Sequence, residues 1–574
     1  MATIQAKTTK GHKYWYIVES RRVNGKPRPI VLAYLGKADD LLKRLQGLTE
    51  GIKLKSYSHG AVAAMLQVAQ QLDVCTIINE HTSSSRSYQS KRPLRNGLTT
   101  GATMLLAAIG RACEPTSKRG WETWAKTTSL DYLLRSNFSQ LDSQHFWDLM
   151  DTIPVEAIEQ IESQLLKKAF EIFGLSSDSL FYDTTNFFTY ISTTNEDCTI
   201  AQRGKNKQKR SDLRQVGLAL VVTRDDKIPL FHMTYEGNMN DAKVFKNILL
   251  KLKKRMTDLN LPIKDHTLVF DRGNNSKGNM ELVEENDFYY VGALTPYHHK
   301  ELVKEALDYF ETNPQEKIYR DKRIIWKRER TLVFYVSDTL KAGCLRGLHL
   351  TLEKTENALK KLQETLAKPS KKKYEAKSLE VRIQNILKNQ HMRQLFSYTL
   401  EEIKEGHYNL HFEILSTKLQ EIENRSGLRI IMSNRHDWMS EKIITTYQGQ
   451  AEIECAFKTI KDPYHLTLKP QFHWTDQKIV VHYFICLLGY LLSSLIYREV
   501  KAKTAFKGSL RTLLNSLNDI RLGAVLEDSK TSGPMKAFYK IEEMSKNQIE
   551  IMEVLNLMDL HSQHPKLNGF GVYN

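Results

Sequence analysis

Apolar positions along the chain change their period several times, and each change marks a predicted element. Residues 14 to 18 (YWYIV) and 29 to 35 (PIVLAYL) are runs rich in aromatic and β-branched residues. They flank Asn24-Gly25-Lys26-Pro27, a turn sequence, and predict a small N-terminal β-hairpin. From His59 to about Arg135 the spacing becomes helical, through AVAAMLQVAQQL and GATMLLAAIG, with breaks at Gly97, Gly101 and Pro115, which predicts several short helices. The basic stretch SSSRSYQSKRPLR at 83 to 95 lies between two of them and reads as a linker. Strand-like runs return at Ser179 to Tyr190 (SLFYDTTNFFTY), Val216 to Thr223 (VGLALVVT) and Ile228 to Tyr235 (IPLFHMTY), the last two joined by a turn at Asp225-Asp226-Lys227. Asp241 to Met256 has helical periodicity through Val244, Phe245, Ile248, Leu249 and Leu252, with Asp241 as a candidate cap. His266 to Asp271 (HTLVFD) and Phe288 to Leu294 (FYYVGAL) predict two further strands.

From about Thr295 to Gly427 that pattern is lost. The stretch RIIWKRERTLVFYVS at 323 to 337 is strand-like, whereas Thr351 to Asn389 keeps helical spacing through Leu352, Leu359, Leu362, Leu366, Leu379, Ile383 and Ile386. Pro369 interrupts it, so the segment predicts an antiparallel helical hairpin with Lys371, Lys372 and Lys373 at a basic tip. Leu428 to Met432 is again strand-like, Ile443 to Thr459 reads as one amphipathic helix, and the tail beyond 500 reads as helical. Val480 to Tyr497 (VVHYFICLLGYLLSSLIY) is near the lower length limit of a membrane helix, about 20 apolar residues. It carries His482 and has no companion span, so it is expected to be a buried core helix, with no membrane partner. Three early strands, a helix, then further strands is the order of a ribonuclease-H-like α/β core. The expected division is an N-terminal β-hairpin region at 1–58, a helical region at 59–176, the core at 177–294 and 428–500 interrupted by an α+β insertion at 295–427, and a helical C-terminal region at 501–574.

Composition narrows the partners. Across 574 residues, 83 Lys and Arg against 66 Asp and Glu leave a net charge of +17, which favours a polyanion, with nucleic acid the first candidate. A hydrophobic share of 41% is ample for packed cores and excludes a disordered basic tail. Six cysteines, at 75, 113, 198, 344, 455 and 486, form no C-x-x-C pair, which argues against a disulfide framework or zinc ribbon and fits a reducing cytoplasm. The opening MATIQAKTTKGHKYWYIV lacks the features of a secretory signal.

The candidate chemistry lies where two strand-like runs each end in an acid, LFYD at Asp183 and LVFD at Asp271. Burying even an uncharged polar group without a partner costs about 2 to 7 kcal/mol, so such carboxylates call for a compensating charge, and a divalent cation supplies one. A third carboxylate is expected from Tyr447, Gln450, Glu454 and Lys461, whose offsets follow i, i+3, i+7, i+14 and align on one helix face. Here the chain resembles the DDE transposases of bacterial insertion sequences, specifically the insertion-sequence-four superfamily, whose last acid sits in a Tyr-x2-Arg-x3-Glu-x6-Lys signature. Asp183 in FYDTTNF, Asp271 in VFDRGNNS and Glu454 in YQGQAEIECAFKTIK match the three acidic motifs in order. The likeness extends through RGKNKQKRSDLRQVGLAL, EGNMND at 236 to 241 and KPQFHWTDQKIVVHYFICLL at 469 to 488, covering roughly residues 177 to 500. The signature's Arg is Gln450 here, a neutral amide that still hydrogen-bonds.

The resemblance implies two divalent ions, Mg²⁺ or Mn²⁺, held about 3.5 to 4 Å apart by Asp183, Asp271 and Glu454, with water and then a DNA 3′-hydroxyl attacking phosphorus in line. It implies double-stranded DNA as partner, both element ends and target, with the helical region at 59–176 as the DNA-binding and end-recognition region, and a homodimer in the synaptic complex, nucleoid-associated when on DNA. Tyr447, Gln450, Lys461 and Arg272 are the implied DNA contacts, and Lys371 to Lys373 are candidates to reach the second end. The expected activity is cut-and-paste transposition at inverted terminal repeats. A ribonuclease-H-fold endonuclease without strand transfer and a non-catalytic DNA-binding derivative are the alternatives; the three intact acids argue against the second. The absence of G-x-x-x-x-G-K-[ST] argues against an ATP-driven motor.

Overall fold

The computed structural model describes residues 2–9, 12–23, 26–38, 52–82, 95–192, 194–206, 208–271, 273, 275–369, 372–469, 471–527 and 536–571. The chain forms two compact units. One comprises Met1–Phe173, Thr459–His473 and Gln477–Asn574, the other Gly174–Lys458 and Trp474–Asp476.

In the first unit, strands β1 (Ala2–Thr9), β2 (His12–Val23) and β3 (Lys26–Gly36) form an antiparallel sheet, so the expected hairpin carries a third strand. The Asn24-Gly25 turn and residues 83–94 lie outside the described residues. A separate strand, β4 (Ile52–Ser58), pairs with Arg521–Glu527, which pairs in turn with Lys536–Ile541. The tail is therefore not wholly helical: it returns to complete a sheet begun before residue 60. The helices Gly60–Gln71, Val74–Glu80, Thr100–Cys113 and Ala157–Phe173 share this unit with most of Asp476–Lys503, whose apolar window is 94% buried in protein. Gly489 on that long helix permits close packing, since a Cβ there would lie 2.9 Å from the Ala108 carbonyl oxygen. Residues 59–173 and the C-terminal tail thus belong to one unit rather than to two domains. All six cysteines are free thiols.

His59 sits where these pieces meet. Its backbone N–H donates to the Ile520 carbonyl at 2.8 Å, its Nδ1 shares a 2.8 Å hydrogen bond with the Ser129 hydroxyl, and its side chain is sealed from solvent. Burial, and then the nearby His561 ring, lowers its pKa to about 4. A folded-state pKa below the unfolded value near 6.5 means that the unfolded chain takes up the proton first, so stability is lost as pH falls from about 6.5 towards 4. Between pH 7 and pH 5 the expected loss is about 2 kcal/mol, and His59→Gln should flatten that part of the pH profile in chemical denaturation. An unchanged slope in the variant would remove His59 as the sensor.

The second unit is built on an eight-stranded sheet. Its strands are β5 (Ser179–Phe188), β6 (Gln215–Thr223), β7 (Pro229–Glu236), β8 (Thr267–Phe270), β9 (Tyr289–Leu294), β10 (Ile318–Ile325), β11 (Arg328–Val336) and, after the hairpin β12 (Phe396–Lys404) and β13 (His407–Ile414), β14 (Leu428–Ser433). The order is β10-β11-β14-β9-β8-β5-β6-β7, with β5, β8 and β9 mutually parallel and every other pairing antiparallel. The five strands β7-β6-β5-β8-β9 fit a ribonuclease-H-like core. Helix Asp241–Asp258 connects β7 to β8; the side chain of Asp241, the expected cap, lies outside what is described.

The segment 295–427 differs from the expectation of a wholly separate insertion. β10 and β11 join the main sheet through β14, and the run at 323 to 337 is broken between them because Trp326 and Lys327 both take positive φ, 50° and 68°, in a tight turn. What stands apart is a cluster formed by helices Asp338–Ala367, Ala376–Ile386 and Ser416–Arg425 with the β12–β13 hairpin, centred on Leu359, Leu362, Ile383, Leu387, Phe396 and Leu410. Leu359 and Ile383 are fully buried, so the two predicted helices do bury their stripes, yet the β-hairpin shares that core. The basic tip is docked on this hairpin. Tyr374 N–H donates to the Gly406 carbonyl at 2.9 Å, Lys373 pairs with Glu405 at 2.9 Å, and Lys372 stands 5.3 Å over the Tyr374 ring; Lys371 lies outside the described residues.

Candidate catalytic site

Strand register brings the first two acids together. In the parallel pairing of β5 with β8, Tyr182 lies opposite Phe270, so Asp183, which continues along β5 paired with Leu220 of β6, stands level with Asp271, the first residue past β8. Neighbouring strands lie about 4.8 Å apart, so the backbone positions that carry the two acids are neighbours. Phe181, Tyr182 and Phe270 before them are buried, Asp183 is half-buried and Asp271 is exposed. The Asp183 Oδ1 accepts the Thr184 N–H at 2.7 Å, which fixes one of its oxygens. Pleating puts Phe181 and Asp183 on one face of the sheet.

The third acid is carried on a different kind of element. The predicted single helix is two, Ser440–Gln448 and Ala451–Thr459, separated at Gly449 and Gln450. The junction rests on β5: a Cβ on Gly449 would lie 2.6 Å from Phe181 Cζ, on the face that also carries Asp183. Glycine there serves close approach, and the same residue weakens the helix. The break overturns the expectation that four side chains share one exposed face. Tyr447 is buried, Gln450 is half-buried in the junction, Glu454 is exposed on the second helix, and Lys461 is exposed beyond its end in the other unit. Arg272 lies outside the described residues.

Cations that the sequence did not single out surround the start of β5. Lys442 and Arg224 lie 3.6 and 3.9 Å from the two Asp178 oxygens, and Lys227, at the turn between β6 and β7, pairs with Glu452 at 2.9 Å. At about 100° per residue, Glu452 and Glu454 point to opposite sides of their helix, so Lys227 holds the one acid and leaves the other facing elsewhere. Only tertiary structure separates these neighbours into an ion-pair partner and a candidate ligand.

Hard oxygen donors from adjacent Asp183 and Asp271 suit Mg²⁺ or Mn²⁺, and the like charges they place together favour a bound cation. Among the described residues, no group of three or more His, Cys, Asp or Glu side chains converges closely enough to hold a metal ion. The register supplies a carboxylate pair, and Glu454 is not closed upon it.

Two family models match. Residues 2–59 match the IS1634 family transposase N-terminal domain, and residues 189–470 match the transposase DDE domain, a span that includes Asp271 and Glu454 and begins just past Asp183. No curated protein matches the chain. Among solved structures, the cryo-EM structure of the piggyBac transposase synaptic complex with hairpin DNA is similar at 10% sequence identity and a TM-score of 0.39, covering 79% of each chain. With an insertion-sequence transposase domain matched at its N-terminus and a DDE domain matched over a span that holds Asp271 and Glu454, the chain is a DDE transposase of an insertion sequence, an enzyme that acts on DNA.

Proposed function

We propose that the chain cleaves DNA at the inverted terminal repeats of its element and joins the freed 3′ ends to target DNA. The observation that carries this reading is the β5–β8 register, which sets Asp183 beside Asp271, the latter inside the matched DDE span. In this reading Asp183, Asp271 and Glu454 hold two Mg²⁺ or Mn²⁺ ions. Bound there, divalent ions activate the attacking oxygen and stabilise the leaving oxygen of an in-line displacement at phosphorus. The protein's own part is position. The β5–β8 register supports a shared role for Asp183 and Asp271, and the packing of Gly449 on Phe181, just before the helix of Glu454, supports its joining them. Water serves as the first nucleophile and the DNA 3′-hydroxyl as the second, so no covalent protein intermediate is needed.

Spacing at Tyr447, Gln450, Glu454 and Lys461 supports the Tyr-Arg-Glu-Lys subgroup with Gln450 in the Arg position, and Lys461 remains an exposed candidate for DNA contact. Cutting and joining two ends in one event favours a homodimer in the synaptic complex. The test is incubation of the full-length protein with DNA carrying the element's ends, a supercoiled target and Mg²⁺. Joined products support transposition. Cleavage without joining would replace this reading with a hydrolytic endonuclease, and binding without either would leave a non-catalytic DNA-binding protein.

A further inference from the structure

Far from the paired acids in sequence, the first unit contains a cleft of about 630 Å³ lined by aromatic and cationic side chains. Its wall is the sheet made by β4 and the C-terminal strands. Ala524 on the middle strand pairs with Lys55 on one side and Tyr539 on the other, so a single methyl separates two long side chains on the same face. Tyr57, two residues along β4 from Lys55, joins that face. From the opposite wall Tyr132 stacks on Tyr539, with ring centroids 3.7 Å apart and planes inclined by 21°.

Lys55, Lys126 and Arg135 are exposed lining residues, and Asp131 beside them is half-buried. Lys126 forms an exposed pair with Glu122, an interaction weak enough to be exchanged for a phosphate. Arg135 takes φ 49°, a backbone conformation that costs a non-glycine residue energy, and the strain sets a cation at the cleft. Exposed cations beside aromatic faces match the phosphate and the base of a nucleotide. The volume falls within the range of about 300 to 1,000 Å³ typical of small-ligand sites. A paired duplex hides its base faces, so the aromatic wall is useful only to an unpaired base.

We propose that this cleft binds one unpaired nucleotide of a DNA strand, its phosphate on Lys55, Lys126 and Arg135 and its base against Tyr57 and the Tyr132–Tyr539 stack. The proposal rests on DNA being the substrate and needs no divalent ion, so its readout is independent of cleavage. In the full-length chain carrying Asp183→Ala, without metal, a short duplex ending in a single unpaired 2-aminopurine is titrated and its fluorescence followed. Binding should quench the probe. Tyr57→Leu should remove most of the quench, and the exposed double variant Lys55→Ala/Arg135→Ala should weaken binding of this probe about tenfold, with melting temperatures showing that both variants are folded. Because the double variant changes only exposed cations, it carries the test if Tyr57→Leu proves unstable. A blunt duplex with paired 2-aminopurine should bind without that quench, and 2-aminopurine deoxynucleoside monophosphate should bind far more weakly than the strand-borne probe. Unchanged affinity and quench in the variants would overturn the proposal, as would equal quenching of paired and unpaired probes or tight binding of the free nucleotide alone. Failure of the transposition reading would appear separately, as absence of metal-dependent cutting and joining.

Discussion

Replacing any one of Asp183, Asp271 or Glu454 with Ala is expected to lower metal-dependent cleavage by about a thousandfold or more while leaving binding to the element's ends nearly intact. Several kcal/mol of transition-state stabilisation depend on bound divalent ions, and each 1.36 kcal/mol is about a factor of ten in rate. Affinity for DNA draws on Lys and Arg contacts with phosphate, which these substitutions leave in place. A second readout needs no activity. Asp183 and Asp271 stand side by side in the register, so neutralising either relieves repulsion and should raise the melting temperature in metal-free buffer. Asp183→Asn is the sharper variant because it retains an oxygen able to accept the Thr184 N–H. Glu452→Gln serves as the internal control: that acid is paired with Lys227, and its loss should leave cleavage nearly unchanged. Gel-resolved cleavage, a mobility-shift titration and thermal melts with and without Mg²⁺ decide the matter. Near-normal turnover in any of the three Ala variants would remove that residue from the site.

The acids were legible because each follows a compact apolar run, and such runs announce core strands whatever their partners. Their adjacency was not, because a parallel pairing between β5 and β8 depends on the chain returning through a helix, and nothing local to either segment fixes the register. The single-helix reading of 443 to 459 failed for a related reason: Gly449 is visible in the sequence as a weak helix former, but its contact with Phe181 exists only in the folded sheet. One turn hid for want of its usual residues, and one set of tertiary contacts hid for want of any local signal. Trp326-Lys327 contains neither Gly nor Asn, so β10 and β11 read as one run, and the tip lysines read as free because their ties to Glu405 and Gly406 come from a hairpin further along the chain. The tail strand Arg521–Glu527 is short and pairs with β4, a segment near the other end of the sequence. Local periodicity carries no information about such a partner.

Arg330→Met is expected to destabilise the second unit by about 3 to 5 kcal/mol, the usual cost of stranding one member of a buried ion pair. Arg330 on β11 has a side chain with 0% exposure, and its partner Glu284, on helix Lys277–Glu285, has 6%. The guanidinium reaches Glu284 Oε1 through Nε at 3.0 Å and Nη2 at 2.9 Å, and Nη1 donates to the Ile325 carbonyl at 2.7 Å. Arg328 also touches Glu284, at 3.1 Å, but its side chain is 49% exposed, and a solvated cation compensates poorly for a sealed one. The pair has a functional address. Helix Lys277–Glu285 follows the loop that begins at Asp271, and Arg330 ties it to the strands that extend the sheet beyond β9. Loosening that tie should therefore lower cleavage as well as stability. Arg330→Met/Glu284→Leu provides the check, because removing both charges replaces an ion pair with apolar packing and should recover most of the loss. Urea denaturation of the wild type, the two single variants and the double variant closes the cycle. A cost below about 1 kcal/mol for Arg330→Met, or no recovery in the double variant, would show that the pair is not what holds this helix to the sheet.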